Sequence, residues 1–269
     1  MYLEKQKELI KELEAVAAKK LFVHSGSLKT RHLVKKSKDR QEILSQHVAL
    51  LSSLVEENGL FIPTFSYQFP KTRLFDVKNT PSEIGRISEY FRANIADWRT
   101  PDPMFSVCGT GPEPRCSRSQ VSPFGEHSFF ADLVKNEGHL LFYGAGIESI
   151  TIMHYAEFLS DVSYRYWKEF DGHLIDGDTR TELNFTAHFR PMGRHLDYQW
   201  DKIESDLINV GILERYNSNV FGMNAKALVD FWCQKMSEDP LYLLDKESRI
   251  WVEPMLDSLG RAFTKEDFE

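Results

Sequence analysis

The segment HLLFYGAGIESITIMHYAEFLS, residues 139–160, contains a strand, a turn and a helix in direct succession. His139–Tyr143 is a short, mostly apolar run, which favours a buried strand, and the glycine turn Gly144–Gly146 ends it. The following segment, Ser149–Ser160, is predicted to be a helix whose first turn is capped by Ser149. A buried strand that passes through a glycine turn into a helix is one repeat of an α/β fold.

The chain before this segment repeats the same alternation of apolar strands and amphipathic helices. The predicted strands are Leu21–Val23, Leu60–Phe65 and Phe105–Val107. The predicted helices are an amphipathic N-terminal segment with Leu9, Ile10, Leu13, Val16 and Ala17 on one stripe, a helix capped by Asp39, a helix that begins with the capping box Thr80–Glu83, and Phe129–Asn136. A long segment rich in Pro, Gly and Ser, residues 109–125, precedes the last helix. Loops of this length are usually functional or mobile.

The pattern changes after residue 160. Four apolar residues alternate with polar ones, as in a strand with one buried face: Leu183, Phe185, Ala187 and Phe189. The sequence Asp176–Asp178 favours a turn, which would pair this strand with Tyr164–Phe170. We therefore expect an antiparallel hairpin in the second half of the chain.

Together these elements predict an α/β fold with a mixed β-sheet core flanked by helices and a β-rich excursion at about residues 163–193. Two more helices are predicted after the excursion, at about 199–209 and 224–237. The sequence contains no internal repeat and no low-complexity linker, so we expect residues 1–269 to form one domain.

The composition is typical of a globular protein, since 42% of the residues are hydrophobic, 13% are aromatic and the formal net charge is −7. An acidic chain is not expected to bind nucleic acid. No apolar run approaches the roughly 20 residues that span a bilayer, and the charged N-terminus lacks a signal-peptide pattern, so we expect a cytoplasmic protein. The three cysteines predict no disulfide framework, and no His, Cys, Asp or Glu spacing predicts a metal site. The oligomeric state stays open, with a homodimer as one alternative.

Two motifs carry candidate chemistry. His154 and Glu157 are three residues apart on a predicted helix and therefore share a face, and imidazole titrates near neutral pH, as a general base must. A purely structural histidine is the alternative. The segment His24-Ser25-Gly26-Ser27 follows a strand, and its small residues and hydroxyls suit close approach to a phosphate or a pantetheine chain. Lys29, just after it, could meet a phosphate or belong to a solvated basic surface.

Two better-known motifs are incomplete. The turn Gly144–Gly146 lacks the third glycine of the dinucleotide-binding fingerprint, and no acidic ribose partner follows it. The segment His24–Ser27 lacks the G-x-S-x-G order of a nucleophile elbow, although a hydrolase that uses Ser25 stays an alternative. His188 and Arg190, where a later strand runs into a loop, are candidate substrate contacts.

Four blocks of the sequence resemble the aminoglycoside 3-N-acetyltransferase family, in the family's order. The blocks are Leu21–Leu28 (LFVHSGSL), Pro63–Phe65 with Phe75-Asp76 and Thr80–Ser82, Pro123–Ser128 (PFGEHS), and Tyr143–Glu157 (YGAGIESITIMHYAE). The last block is the most specific, because the family has a glycine turn followed by a segment that ends in L-H-Y-A-E or similar. The resemblance covers about residues 20 to 160.

This resemblance implies direct transfer of an acetyl group from acetyl-CoA to an amino group of an amino sugar or aminoglycoside-like substrate, with His154 as the general base. It also implies that His24–Ser27 and Pro123–Ser128, including Ser128 itself, help to hold acetyl-CoA. Glu126 and Glu157 match acidic positions of the family motifs, and one of the two is expected to orient His154.

The sequence departs from the family pattern at three places. It has His-Ser-Gly-Ser-Leu where the family has His-Ser-Ser-Leu, and Thr100-Pro101-Asp102-Pro103 where the family has Ser-Ala-His-Pro, so Asp102 is a candidate substrate contact. The segment Tyr164–Gly193 is rich in aromatic residues and arginine. Four cations in and beside it could face an anionic group: Arg165, Lys168, Arg190 and Arg194.

Such an anionic group would be the phosphates of a nucleotide-linked amino sugar, as used in the synthesis of lipopolysaccharide and other surface polysaccharides. The same acetyl transfer to that substrate is therefore an alternative to an aminoglycoside-like acceptor. A non-catalytic relative that binds CoA or a sugar is another alternative.

Overall fold

The structure is a computed structural model that describes residues 2–14, 20–55 and 59–269. Within these ranges the chain forms one sheet of seven strands and one of four, with helices between them. The strands are β1 Leu21–Ser25, β2 Leu60–Pro63, β3 Leu74–Asp76, β4 Trp98–Arg99, β5 Val107–Gly109, β6 Gln120–Val121, β7 His139–Tyr143, β8 Tyr166–Asp176, β9 Thr179–Phe189, β10 Glu214–Asn217 and β11 Val220–Asn224. The α-helices are α1 Tyr2–Glu14, α2 Arg40–Ser52, α3 Phe69–Thr72, α4 Arg86–Asn94, α5 Phe129–Lys135, α6 Met153–Leu159, α7 Trp200–Asn209, α8 Ala225–Glu238 and α9 Lys246–Leu259.

The larger sheet has the strand order β10-β11-β7-β1-β2-β5-β4, with parallel strands β7, β1 and β2 at its centre and antiparallel strands on both sides. Its central strands are apolar along their whole length because both faces are covered. Phe22 of β1 packs in one hydrophobic cluster with residues of α5, α6 and α8, whereas Leu21 and Val23 pack across the sheet with residues of α1, α2 and α4. The predicted mixed sheet flanked by helices is confirmed.

The carboxyl ends of β1 and β7 meet at one edge of this sheet, because the two strands pair in parallel up to Ser25 opposite Tyr143. At that edge the backbones of Gly26 and Gly144 touch, and a Cβ on Gly26 would lie 2.5 Å from the Gly144 oxygen. Gly144 also has a φ of 78°, which favours glycine. The glycine turn therefore leads the chain from β7 towards α6 past the end of β1.

The smaller sheet is built around a long hairpin. β8 and β9 pair antiparallel from Tyr166 opposite Phe189 to Asp176 opposite Thr179, and Gly177 makes the turn with a φ of 60°. The predicted pairing and turn are confirmed. Two short strands from the first half of the chain, β3 and β6, flank the hairpin in the order β3-β8-β9-β6. The β-rich excursion therefore pairs with earlier parts of the chain.

The predicted helix start at Thr80–Glu83 is wrong. Helix α4 begins at Arg86, after Gly85, whose φ of 146° is outside the range of other residues. The hydroxyl of Thr80 instead accepts a hydrogen bond from the N–H of Asp76, at 2.9 Å, and so closes a tight turn at the end of β3. The local capping pattern was satisfied by a turn instead of a helix.

The predicted continuous helix over Ser149–Ser160 is also wrong. A 3₁₀ turn ends at Ser149, Ile150 leaves the helical region with a ψ of 87°, and α6 begins only afterwards. The hydroxyl of Ser149 does not cap α6 but donates to the oxygen of Gly146, at 2.7 Å. As a result His154 lies in the first turn of a short helix, close to the edge of the sheet.

Other differences are smaller. The strand predicted at Phe105–Val107 begins later, at Val107, and the strand predicted at Leu60–Phe65 ends at Pro63. Strands β3, β4, β6, β10 and β11 and helices α3 and α9 were not predicted. Val16 and Ala17 of the predicted N-terminal stripe lie outside the described residues. None of the helices in the described ranges is both long and apolar enough to cross a membrane.

Candidate active site

His154 and Glu157 form the centre of the candidate site. Their spacing on α6 places His154 Nδ1 at 2.7 Å from Glu157 Oε2. The carboxylate side chain is fully buried, whereas 25% of the imidazole side chain is exposed. Because an ionised carboxylate can only accept, Nδ1 carries the proton and donates it, which leaves the lone pair on Nε2. In the part of the chain that the structure describes, no group hydrogen-bonds Nε2.

Two buried tyrosines hold the other oxygen of Glu157. The hydroxyls of Tyr164 and Tyr198 donate to Glu157 Oε1 at 2.8 and 3.0 Å. Burial alone would raise the pKa of Glu157, but the charge of Arg165 and the hydrogen bonds from His154 and Tyr164 outweigh it and lower the pKa to about 2. Glu157 is therefore an ionised carboxylate at neutral pH.

Arg165 supplies the positive charge that this buried carboxylate requires. Its Nε lies 2.8 Å from Glu157 Oε2, in an ion pair whose N–H is not aligned for a hydrogen bond. Its Nη2 donates to the Tyr198 hydroxyl at 2.5 Å and lies 3.0 Å from His154 Nδ1, and its Nη1 donates to the His188 carbonyl at 2.8 Å. The pair is buried but has hydrogen-bond partners on both sides, which is what makes a buried charge tolerable.

The charge state of His154 follows from these neighbours. Burial and the positive charge of Arg165 lower the pKa of His154, and its hydrogen bond to Glu157 offsets this only in part. The imidazole is therefore neutral at neutral pH and can accept a proton. Phe124 packs against the ring edge-on, with 5.5 Å between the ring centroids.

A cavity of about 450 Å³ opens beside His154. We call it the His154 cavity. Its walls are largely aromatic: Phe105, Phe124, Phe189, Tyr198 and Trp200. Two carboxylates, Glu148 and Asp197, and the exposed cation Arg190 also line it. The volume lies within the roughly 300–1,000 Å³ typical of small-molecule sites, and aromatic walls with a few polar groups are typical of sites for sugars and similar ligands.

The structure brings some of the predicted site residues together at this cavity and places others elsewhere. Four of them line it: His154, Arg165, His188 and Arg190. Of the two acidic candidates, Glu157 contacts His154, whereas Glu126 is exposed and lines two other cavities. Lys168 does not line the His154 cavity and forms an ion pair with Glu269.

Asp102 lines a smaller cavity, of about 120 Å³. Its Oδ1 accepts hydrogen bonds from the backbone N–H groups of Met104 and Phe105, at 2.9 and 2.7 Å. Burial raises the pKa of Asp102 to about 6, even though these hydrogen bonds and Arg99 oppose the shift. Since Phe105 lines both this cavity and the His154 cavity, Asp102 is separated from the histidine by that aromatic side chain.

Ser128 lies between the small cavity and a third one, of about 650 Å³. Its hydroxyl accepts a hydrogen bond from the N–H of Ala131 at 3.2 Å and so caps α5. The third cavity has three cationic side chains in its lining: Lys20, Arg115 and Lys135. Within the described residues, no group of three or more His, Cys, Asp or Glu side chains could hold a metal ion.

The predicted cofactor segment after β1 is more enclosed than its sequence suggests. His24 is only 4% exposed and its ring stacks on Phe142 at 5.0 Å, so burial lowers the pKa of His24 to about 3. The hydroxyl of Ser25 is buried and has no partner among the described residues. The loop from Ser27 to Lys29 is more exposed, and the segment does not line the His154 cavity.

The two tyrosines of the site were missed by the sequence analysis. Tyr164 follows Glu157 by seven residues, beyond the end of α6, and Tyr198 follows it by 41 in the loop before α7. No helical or strand periodicity links these positions to the motif. Only the aromatic richness of Tyr164–Gly193 pointed to this part of the chain as a wall of the site.

Three solved structures illustrate the fold to which the chain is similar. AAC-IIIb in its binary complex with CoASH is 16% identical with a TM-score of 0.68, over 87% of this chain and 96% of that chain. The apoenzyme of the aminoglycoside acetyltransferase AAC(3)-IVa is 18% identical with a TM-score of 0.64, over 90% and 94%. The YokD protein from Bacillus subtilis is 17% identical with a TM-score of 0.66, over 87% and 94%.

At these identities the likeness concerns the fold alone. The chain has no significant sequence match among curated proteins. The family model described as aminoglycoside 3-N-acetyltransferase, however, matches residues 22–237, which include the glycine turn, the His154–Glu157 pair and the whole hairpin. The chain therefore belongs to the aminoglycoside 3-N-acetyltransferase family and is an acyltransferase.

Proposed function

We propose that the protein transfers an acetyl group from acetyl-CoA to an amino group of an amino sugar or aminoglycoside-like substrate, with His154 as the general base. One observation carries this proposal. Nδ1 of His154 is held by a buried, ionised Glu157, while a quarter of the ring (25%) is exposed beside a cavity of about 450 Å³. A neutral imidazole held in this way keeps its lone pair on Nε2, available to a substrate.

In the proposed reaction, Nε2 of His154 removes a proton from the substrate ammonium group, directly or through a water molecule. The freed lone pair attacks the thioester carbonyl that acetyl-CoA supplies, an amide bond forms and CoA leaves as its thiol. Glu157 stabilises the imidazolium that forms at His154, because the carboxylate is already ionised and hydrogen-bonded to Nδ1. General-base assistance of this kind is typically worth about 10²–10⁴ in rate.

The cofactor assignment has support from both the chain and its relatives. The 650 Å³ cavity next to Ser128 has Lys20, Arg115 and Lys135 in its lining, and cations suit the phosphates of CoA. The buried hydroxyl of Ser25, which lacks a described partner, is a second polar group that a ligand near β1 could satisfy. Among the relatives, AAC-IIIb was solved as a complex with CoASH.

The acceptor assignment rests on the walls of the His154 cavity. Its aromatic side chains suit a sugar ring, and the carboxylates of Glu148 and Asp197 suit an amino group. Among the solved relatives, mutants of AAC(3)-IVa were crystallised with apramycin and with a gentamicin, and AAC-VIa with sisomicin. We therefore place an aminoglycoside-like amine first.

One observation favours a nucleotide-linked amino sugar as a second candidate. Arg190 is exposed at the His154 cavity, where it could meet a phosphate. Of the other predicted anion contacts, Arg165 is paired with Glu157 and Lys168 with Glu269, and Arg194 lies over the ring of Trp251. The solved relatives named above give no support to a role in polysaccharide synthesis.

A histidine substitution tests the central assignment. We expect His154→Ala to lower turnover at least about a hundredfold, as general-base removal does, while acetyl-CoA affinity stays within about twofold. Turnover is measured as thiol release from acetyl-CoA and affinity by calorimetry. His173→Ala, which changes a histidine on the hairpin away from the cavity, is the control. Turnover of His154→Ala close to that of the wild type would remove the general-base assignment.

The acceptor is tested with a panel of aminoglycosides and nucleotide-linked amino sugars, again by thiol release. Turnover on aminoglycosides alone supports the first candidate, and turnover on nucleotide-linked sugars alone supports the second. Acetyl-CoA binding without turnover on any amine would instead support a non-catalytic relative.

A further inference from the structure

Arg165 contacts more groups of the site than any substrate contact requires. Only 6% of the residue is exposed, and its three guanidinium nitrogens reach four different residues. These are Glu157, His154, Tyr198 and the carbonyl of His188. Since every nitrogen of the fork already has an internal neighbour, Arg165 has little freedom to turn towards a ligand in the His154 cavity.

The position of the guanidinium restricts the protonation of His154. Nη2 lies 3.0 Å from Nδ1, on the same side of the ring as Glu157. A protonated imidazole would place two cations beside one carboxylate, and like charges at this distance disfavour each other. Without Arg165, Glu157 alone would act on His154 and would favour the protonated ring, which cannot act as a base.

The other charged and titratable neighbours of His154 have weaker effects. Arg190 acts on it in the same direction as Arg165 but is exposed. The ring of Tyr198 lies 6.4 Å away, between centroids, and its hydroxyl is bonded to Glu157 and Arg165. Thus Glu157 and Arg165 are the two close charges that face the imidazole, and they act in opposite directions.

We propose that Arg165 is a positioning residue, which holds Glu157 in place and keeps His154 in its neutral, proton-accepting form. The proposal deepens the general-base assignment and rests on it for its catalytic consequence. Its electrostatic part concerns the free protein and does not depend on the identity of any substrate. It also replaces the sequence-based expectation that Arg165 binds an anionic substrate group.

The test is an NMR titration of the His154 ring in the free protein, with His154→Ala used to assign the signal. We expect Arg165→Gln to raise the midpoint by about one pH unit or more, because the opposing charge is lost. Arg165→Lys retains the charge and is expected to stay within about half a unit of the wild type. An unchanged midpoint in Arg165→Gln would overturn the proposal.

A second pair of variants covers the case in which Arg165→Gln does not fold because Glu157 is left buried without a cation. Glu157→Gln removes that carboxylate, so the double variant Glu157→Gln/Arg165→Gln carries no unpaired buried charge. We expect the His154 midpoint to be higher in the double variant than in Glu157→Gln alone. Equal midpoints in these two variants would contradict the electrostatic role.

Kinetics separate positioning from substrate binding. A positioning residue predicts that Arg165→Lys lowers kcat about tenfold or more at a nearly unchanged KM for the amine, because the fork contacts are lost while the cavity keeps its walls. A rise in KM at unchanged kcat would instead assign Arg165 to the substrate. The control is Arg249→Gln, which removes an arginine–carboxylate pair with Asp239 on the surface and should change neither kinetics nor titration. If no amine is acetylated at all, the proposed function fails while the titration still decides the role of Arg165.

Discussion

Glu157 and Asp102 are both buried carboxylates, yet their surroundings move their pKa values in opposite directions. Burial raises the pKa in each case, but the cation Arg165 and several hydrogen-bond donors around Glu157 reverse the effect and lower its pKa to about 2. Asp102 has two backbone donors and only the more distant charge of Arg99, so its pKa stays raised at about 6. The contrast shows that a paired cation, more than the degree of burial, decides whether a carboxylate is ionised here.

Asp102 therefore makes stability depend on pH. Its folded-state pKa, about 6, lies above the ordinary value of 3.8, so the stabilisation is present below pH 3.8 and is lost as the pH rises through 6. We expect Asp102→Asn to be more stable than the wild type at pH 8, by on the order of 2 kcal/mol, because the amide keeps an acceptor for Met104 and Phe105 without a charge.

Urea unfolding at pH 4 and pH 8 measures this difference. The two proteins should have nearly equal free energies of unfolding at pH 4, where Asp102 is protonated in the folded state. A variant that is less stable than the wild type at pH 8 would show that the ionised carboxylate is required in the folded protein.

At the level of the elements, the fold depends on the turn that connects β7 to α6. Gly144 has a φ of 78°, and a Cβ there would lie 2.4 Å from the oxygen of Gly26. Gly177 in the hairpin turn also has a positive φ, of 60°, but a Cβ there would meet nothing within 4 Å. The two glycines share the backbone requirement, and only Gly144 also requires the absence of a side chain for packing.

This pair gives a matched prediction. We expect Gly177→Ala to cost about 1–2 kcal/mol of unfolding free energy, from backbone strain alone. Gly144→Ala should cost at least about 2 kcal/mol more, because the backbones at the ends of β1 and β7 would have to separate. Urea unfolding of both variants measures the difference, and equal costs would mean that the strand ends can move apart freely.

At the level of the whole molecule, the His154 cavity is formed where the two sheets approach each other. His154 lies on the helix that follows the larger sheet, whereas His188 and Phe189 belong to β9 of the smaller one. The smaller sheet has its own hydrophobic cluster, in which Phe185 is fully buried together with Phe75 of β3. A site shared in this way requires the sheets to keep a constant relative position.

The prediction that residues 1–269 form one domain can be tested through this cluster. We expect Phe185→Ala to lower stability by about 3–5 kcal/mol, as loss of a buried aromatic ring does, and to keep a single unfolding transition. Circular dichroism and tryptophan fluorescence should give coincident curves. Thr181→Ala, an exposed position on the same strand, is the control and should cost less than about 0.5 kcal/mol. Separate transitions would show that the smaller sheet unfolds independently.

Features that depend on neighbours along the chain could be predicted from the sequence. The bounds of β7, the helix start at Asp39 and the hairpin turn at Gly177 follow from short-range patterns of apolar, capping and turn residues. The same holds for the shared face of His154 and Glu157, because three residues on a helix bring side chains together whatever surrounds them.

The tertiary structure alone decided which groups act on that pair. Tyr198 comes from a loop 41 residues beyond Glu157, and Arg165 reaches the pair because β8 begins beside the end of α6. Glu126 and Glu157 could not be distinguished by spacing, since contact with His154 depends on the path of the chain between them. Long-range contacts of this kind arise from the packing of sheets and helices, for which the sequence has no short-range periodicity.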